Sequence, residues 1–167
     1  MNLEKLNNSD QNSFTQILGE IFEHSPWIPQ ETWKNRPFNT IEHLHKNLKQ
    51  TLEAADDIKK LDLVRTHPDL AGKLAVSGEL TDFSTAEQQS AQLNKLTEEQ
   101  FETISKLNQT YKDKFQFPFI ICVKDHTQTS IFEHFNERVS NDSETELNAA
   151  LKQISRIAWH RLNDLLT

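Results

Sequence analysis

Thr97-Glu98-Glu99-Gln100-Phe101-Glu102-Thr103-Ile104-Ser105-Lys106-Leu107-Asn108-Gln109-Thr110-Tyr111-Lys112-Asp113-Lys114-Phe115 is the stretch whose pattern decides the fold class. It opens with a hydroxyl residue followed three positions on by Gln100, so that each side chain can bond the other's backbone N–H at a helix start. Phe101, Ile104, Leu107, Tyr111 and Phe115 then recur three or four apart, which lines them along one helical face. The same signals extend outward. Thr40 precedes Ile41, Leu44, Leu48 and Leu52, and Ser9 precedes Phe14, Ile17, Leu18, Ile21 and Phe22. A helix over Asp57–Thr66 would turn Ile58, Leu61 and Val64 inward, and a short one is expected around Glu31–Asn35. Ser84…Glu87 and Ser143…Glu146 repeat the capping pattern, the second opening a last helix with Leu147, Leu151, Ile154, Ala158 and Leu165 inward. Between them, Ser130–Ser140 reads as a helix through Ile131, Phe132, Phe135 and Val139. With three glycines and five prolines in 167 residues there are too few turn formers for an all-β chain. The expectation is an all-α fold, a single compact multi-helix domain over residues 1–167.

One segment departs from this pattern. Phe117-Pro118-Phe119-Ile120-Ile121-Cys122-Val123 is continuously apolar and short, with no second strand to pair with it. Buried and extended, it would leave backbone N–H and C=O groups wanting partners, which makes it a candidate ligand-lining segment. The pattern alone equally allows a helical turn entering the core.

The formal net charge of −7 argues against nucleic acid as the main partner, because phosphate contacts need a clustered basic surface. Cys122 is the only cysteine, which rules out an internal disulfide and a zinc–cysteine cluster. No apolar run approaches the roughly 20 residues of a membrane span. Neither the polar Met1–Lys5 start nor the Asp164–Thr167 end resembles a targeting signal, so the cytoplasm is the expected location. Glycine-rich phosphate loops, nucleophile elbows and His-Glu-x-x-His helices do not occur.

Among seven histidines, His43 and His45 cannot share a helix face and are expected to be solvated. His24, His134 and His160 are expected to be structural or surface residues. His67 stands out because it closes a helix and precedes Pro68, although a histidine there also complements the helix dipole. Glu87 has a plain explanation as the third residue of the Ser84 capping box, and Arg161 one as a surface charge on the last helix.

Several segments together resemble one family. Arg65-Thr66-His67-Pro68-Asp69-Leu70-Ala71-Gly72-Lys73 is similar to the signature of the OHCU decarboxylases, where OHCU is 2-oxo-4-hydroxy-4-carboxy-5-ureidoimidazoline. With it, Phe22–Trp27, Arg36-Pro37-Phe38, Ser84–Gln88, Lys114–Val123 and Ile154–Leu162 fall in that family's order along the chain, so the resemblance spans nearly the whole chain. It implies an all-helical homodimer that converts OHCU to (S)-allantoin without metal or organic cofactor. It also implies His67 and Glu87 as catalytic residues. Substrate contacts would fall on Pro68, on Ser84, Thr85, Ala86, Glu87 and Gln88, on the backbone of Phe119, Ile120, Ile121, Cys122 and Val123, and on Arg161. Gln92 and Gln116 stand where the family commonly has glycine, which matters only if those positions need positive φ. Two other readings compete. One is a non-enzymatic helical interaction domain anchored by Trp27, Trp33 and Phe38, recognisable by an exposed apolar surface. The other is a lyase for a related ureido or imidazoline acid.

Overall fold

The computed structural model describes residues 1–72 and 77–167; Lys73, the last residue of the signature segment, lies outside them. Among the described residues the regular structure is entirely helical, as expected. The α-helices are α1 (Leu3–Asn7), α2 (Gln11–Leu18), α3 (Trp27–Thr32), α4 (Ile41–Ala54), α5 (Asp57–Arg65), α6 (Asp82–Ser90), α7 (Glu98–Phe115), α8 (Gln128–Arg138) and α9 (Ser143–Leu166). Short 3-10 turns cover Trp33–Asn35, Leu93–Lys95 and Val123–Asp125. The chain divides into two compact units, one of residues 1–63 with 155–167 and one of residues 64–154.

In the first unit, Asp10 rather than Ser9 caps α2, accepting from the Ser13 N–H at 2.8 Å. Ser9 instead presents its carbonyl to Arg36 and Trp33, at 2.9 and 3.2 Å. α2 ends at Leu18, and Ile21 and Phe22 are buried beyond it in turn structure. The expected Glu31–Asn35 helix is instead α3 followed by a 3-10 turn. Pro29 is tolerated in α3 because it sits in the first turn, where backbone N–H groups have no helical partner. Thr40 caps α4 as expected, and Leu44, Leu48 and Leu52 are buried. His45 is not simply solvated: its Nε2 lies 2.8 Å from the Ser155 carbonyl, and burial holds its pKa below the ordinary value. In α5 the inward set is shifted, with Leu63 and Val64 buried and Ile58 73% exposed.

Phe38 is core, 1% exposed and 6.1 Å from the Phe14 ring. Trp33 lies under the Arg36 guanidinium at 3.9 Å. The three aromatics of the interaction-domain reading therefore form no exposed patch, since Trp27 and Trp33 are themselves half-buried.

The second unit is built on α7, whose Thr97–Gln100 capping box is formed in both directions. Ile104, Tyr111 and Phe115 are buried, whereas Phe101 in the first turn is 39% exposed. Tyr111 packs against Phe115, Phe117, Phe119 and Phe135, and Phe119 stacks on Phe135 at 3.9 Å. The α8 helix starts at Gln128, not Ser130, because Thr127 caps it. Asp142 rather than Ser143 holds the start of α9, accepting from the Thr145 N–H at 2.8 Å. Glu146, expected to serve that cap, is fully buried instead.

Gln92 and Gln116 both adopt the left-handed conformation, with φ of 58° and 62°. Each follows a helix, the position where glycine carries no Cβ penalty. Gln116 recovers part of the cost by donating to the carbonyls of Asp113 and Lys112 at 2.9 and 3.3 Å. The Gln92 side chain makes no such bond, so Gln92→Gly is expected to stabilise the protein by about 1 kcal/mol. A urea titration reads this as a raised midpoint at unchanged slope; an unchanged or lowered midpoint contradicts it.

Candidate active site

Three of the sequence segments singled out above converge in the second unit. The first is the turn after α5. The His67 N–H reaches the Val64 carbonyl at 3.4 Å, and the imidazole is buried, 8% exposed. Pro68 follows, half-buried, and the chain turns through Asp69–Gly72 with Ala71 held at φ 48°. A Cβ on Gly72 would come within 2.7 Å of the Asp69 Cβ, so glycine alone fits this turn. Side chains from α6 and α7 lock it. The Ala71 N–H donates to Gln88 Oε1 at 2.9 Å, and Asn108 Nδ2 donates to the Leu70 carbonyl at 2.9 Å. Gln88 Nε2 approaches the Asp69 carbonyl at 3.4 Å, and Lys112 pairs with the Asp69 carboxylate at 3.2 Å.

The second segment is α6. Thr81, not Ser84, caps this helix, accepting from the Ser84 N–H at 3.2 Å. Its hydroxyl is placed one turn earlier than the Ser84…Glu87 pattern suggests. Glu87 therefore lies in the second turn, where it cannot cap, and the plain explanation for it falls away. Ser84, Glu87 and Gln88 share the buried face, while Thr85 is half-buried and Ala86 is exposed.

The third segment, Phe117–Cys122, is neither helix nor strand, and Phe119 to Val123 are all buried. The open choice between extended chain and helical turn resolves as extended chain ending in the 3-10 turn Val123–Asp125, which packs on α6. Its backbone groups are partly served by side chains. Arg138 Nη1 donates to the Ile120 carbonyl at 2.7 Å, and the Cys122 N–H donates to Gln153 Oε1 at 2.9 Å. The Ile121 N–H and C=O make no hydrogen bond among the described residues.

Cys122 is no nucleophile here. Burial first, then the charges of Asp125 and Glu87, push its thiol pKa up to about 12. A thiol that stays protonated at neutral pH neither attacks carbon nor exchanges disulfides. The folded protein is accordingly expected to react negligibly with Ellman's reagent at pH 8, releasing its one equivalent only in denaturant. Rapid native labelling contradicts this.

A cavity of about 580 Å3 in the same unit is lined by residues including Ala71, Thr85, Gln88, Leu93 and Phe101. Neither His67 nor Glu87 is among its walls, so volume alone does not locate the chemistry. Arg161, the remaining candidate, belongs to the first unit. It is not the surface charge its helix position suggests: it is 1% exposed, with Nη2 2.9 Å from Glu23 Oε1 and Nη1 2.9 Å from the Glu20 carbonyl. Sequence reading did not single out Glu23, Asn108 or Arg138. Each is marked by a bond to a residue distant in the chain, not by any spacing along it.

The helical fold, the buried histidine and carboxylate, and the buried backbone segment that packs on α6 and accepts from Arg138 of α8 together define an all-α protein with an acid–base candidate site. Comparison with known proteins makes the class specific. The OHCU decarboxylase family model matches residues 7–163, and the chain belongs to that family. It is 40% identical to the 2-oxo-4-hydroxy-4-carboxy-5-ureidoimidazoline decarboxylase of Haloferax volcanii over 97% of this chain and 94% of the relative. A crystal structure of (S)-allantoin synthase superposes with a TM-score of 0.80 at 26% identity, covering 99% of this chain but 54% of that one. An OHCU decarboxylase crystallised in the presence of (S)-allantoin shares the fold, with a TM-score of 0.72 at 19% identity over 89% of this chain and 96% of that one.

Proposed function

We propose that the protein decarboxylates OHCU to (S)-allantoin and carbon dioxide, the step that completes conversion of urate to allantoin. Family membership supports the reaction class. The observation that carries the assignment of residues is the convergence of the His67 turn, the buried face of α6 and the Phe119–Val123 segment within one unit.

OHCU carries its carboxylate on a carbon that also bears a hydroxyl and adjoins a ring C=N bond. When the C–CO2 bond breaks, its electron pair moves into the C=N, whose nitrogen takes a proton. The substrate is its own electron sink, so the reaction asks no electron-accepting cofactor of the protein. The enol that remains becomes a carbonyl as the ureido-bearing carbon takes a proton from one face, giving the S product. In this reading His67 hydrogen-bonds the hydroxyl and moves its proton, work suited to an imidazole. A charged Glu87 would repel the departing carboxylate, so it accepts from ring or ureido N–H groups and fixes orientation. The Ile121 N–H and C=O are the natural backbone partners for a molecule whose rim alternates N–H and C=O. Ser84, Thr85 and Pro68 complete the binding surface. Gln88 contributes through the Asp69–Ala71 turn that its carboxamide grips.

The reading treats residues 1–167 as one functional domain acting as a homodimer in the cytoplasm, free of cofactor, nucleic acid and membrane. Among the described residues no helix is long and apolar enough to cross a membrane. To test the activity, OHCU is generated from urate with the two upstream enzymes and followed by circular dichroism. Immediate growth of the (S)-allantoin signal on adding the protein is the expected result. Decay at the blank rate to racemic product would refute the assignment.

A further inference from the structure

Arg138 is fixed by more than its own helix requires. Its Nε and Nη2 reach Glu146 Oε2 at 3.1 and 2.9 Å, and Glu146 is fully buried. The same carboxylate accepts from Asn141 Nδ2 at 2.9 Å and from the Tyr111 hydroxyl. Burial and the Glu146 bond both push the Tyr111 pKa up, so the phenol stays a donor. A buried ion pair is a poor source of stability in itself, because desolvating both charges offsets their attraction. The carboxylate is well satisfied, and the pair leaves the Nη1 nitrogen of the guanidinium free to bond elsewhere. Nη1 points at the Ile120 carbonyl, 2.7 Å away, while the guanidinium centre sits 4.4 Å from the Phe119 ring.

The Ile120 C=O and the Ile121 N–H belong to the same planar peptide. A charge-assisted bond to that oxygen draws electron density from the amide, fixes the plane of the peptide and makes its N–H a stronger donor. We propose that Arg138 is a positioning residue that orients and strengthens the Ile121 N–H as a hydrogen-bond donor to a substrate oxygen, with Glu146 and Tyr111 holding the guanidinium in place. The inference rests on the reading that Phe119–Val123 lines the substrate site, and names what makes one of its groups competent.

Ile120-Ile121 is the only Ile-Ile pair in the chain. Protein grown with carbonyl-13C isoleucine and 15N isoleucine therefore gives a single peak in an HNCO spectrum, reporting this peptide alone. Arg138→Lys keeps a charge but loses the fork. Arg138→Met/Glu146→Gln removes the donor while leaving no buried charge alone and an acceptor for Tyr111, and so guards against a variant that fails to fold. In either folded variant the peak is expected to move, KM to rise roughly tenfold and kcat per folded molecule to change little. A peak at the wild-type position with KM within twofold overturns the proposal. So does a lowered thermal midpoint with wild-type KM, which marks a purely structural role. Titrating the wild type with (S)-allantoin separates the underlying reading: the peak must shift. If it does not, while the variants still move it, the segment is not a binding surface, and the proposal falls with that reading and not for want of the Arg138 contact.

Discussion

His67→Ala is expected to lower kcat by roughly 10²- to 10⁴-fold, the range spanned by a positioned general acid–base group. The loss should appear in stereochemistry as well as in rate. With no group to handle the hydroxyl proton, OHCU would decay at close to the blank rate, and the dichroism of (S)-allantoin would not develop. His67 is buried, so part of any effect could come from unfolding. Rates are therefore compared per folded molecule, with His67→Gln as a volume-conserving companion. If either variant keeps most of kcat while folded, the proton-handling role is lost and His67 merely shapes the turn before Pro68. Glu87→Gln gives the matching contrast. An orienting residue should raise KM and spare kcat, whereas a fall in kcat alone would make Glu87 part of the chemical step.

The largest stability effect belongs to the first unit. Arg161 and Glu23 are each 1% exposed and meet at 2.9 Å. Replacing Glu23 by Ala takes away the carboxylate and leaves a buried guanidinium facing the space it filled. Breaking such a pair from one side costs about 3–5 kcal/mol, far more than the intact pair contributes relative to an apolar substitute. Urea unfolding of Glu23→Ala should show a midpoint well below that of the parent, with Glu23→Gln falling between. A loss under about 1 kcal/mol would mean that neighbouring dipoles already balance Arg161. The same variants bear on substrate binding. If Arg161 only anchors its helix, they lose stability with KM intact; if it also reaches the substrate, KM rises in the fraction that stays folded.

Much of this molecule was legible residue by residue. The stripes of α4 and α7 needed only the helical period, because side chains three and four apart share a face whatever lies opposite. The caps at Thr40 and Thr97 were readable for the same reason: a cap is a bond between neighbours in the chain. Where short polar residues crowd together, that logic becomes ambiguous. Thr81 and Asp142 do the capping that the sequence pattern offers to Ser84 and Ser143, and the difference matters functionally. It releases Glu87 and Glu146 from local roles, one to a buried helix face and the other to Arg138.

The chain by itself thus determined the helical class, the family and the residue types available for chemistry, since each is carried by periodicity, local capping or an ordered set of motifs. Tertiary structure alone decided which backbone groups of Phe119–Val123 are already occupied, and that Gln88 grips the His67 turn. It also decided that Gln92 and Gln116 adopt left-handed geometry, and that Arg161 is buried against Glu23. Apart from the two helix-end glutamines, these are bonds and burial between residues as many as 138 positions apart, and no spacing along a chain encodes them. They exist only once packing has brought the partners together and excluded water from between them.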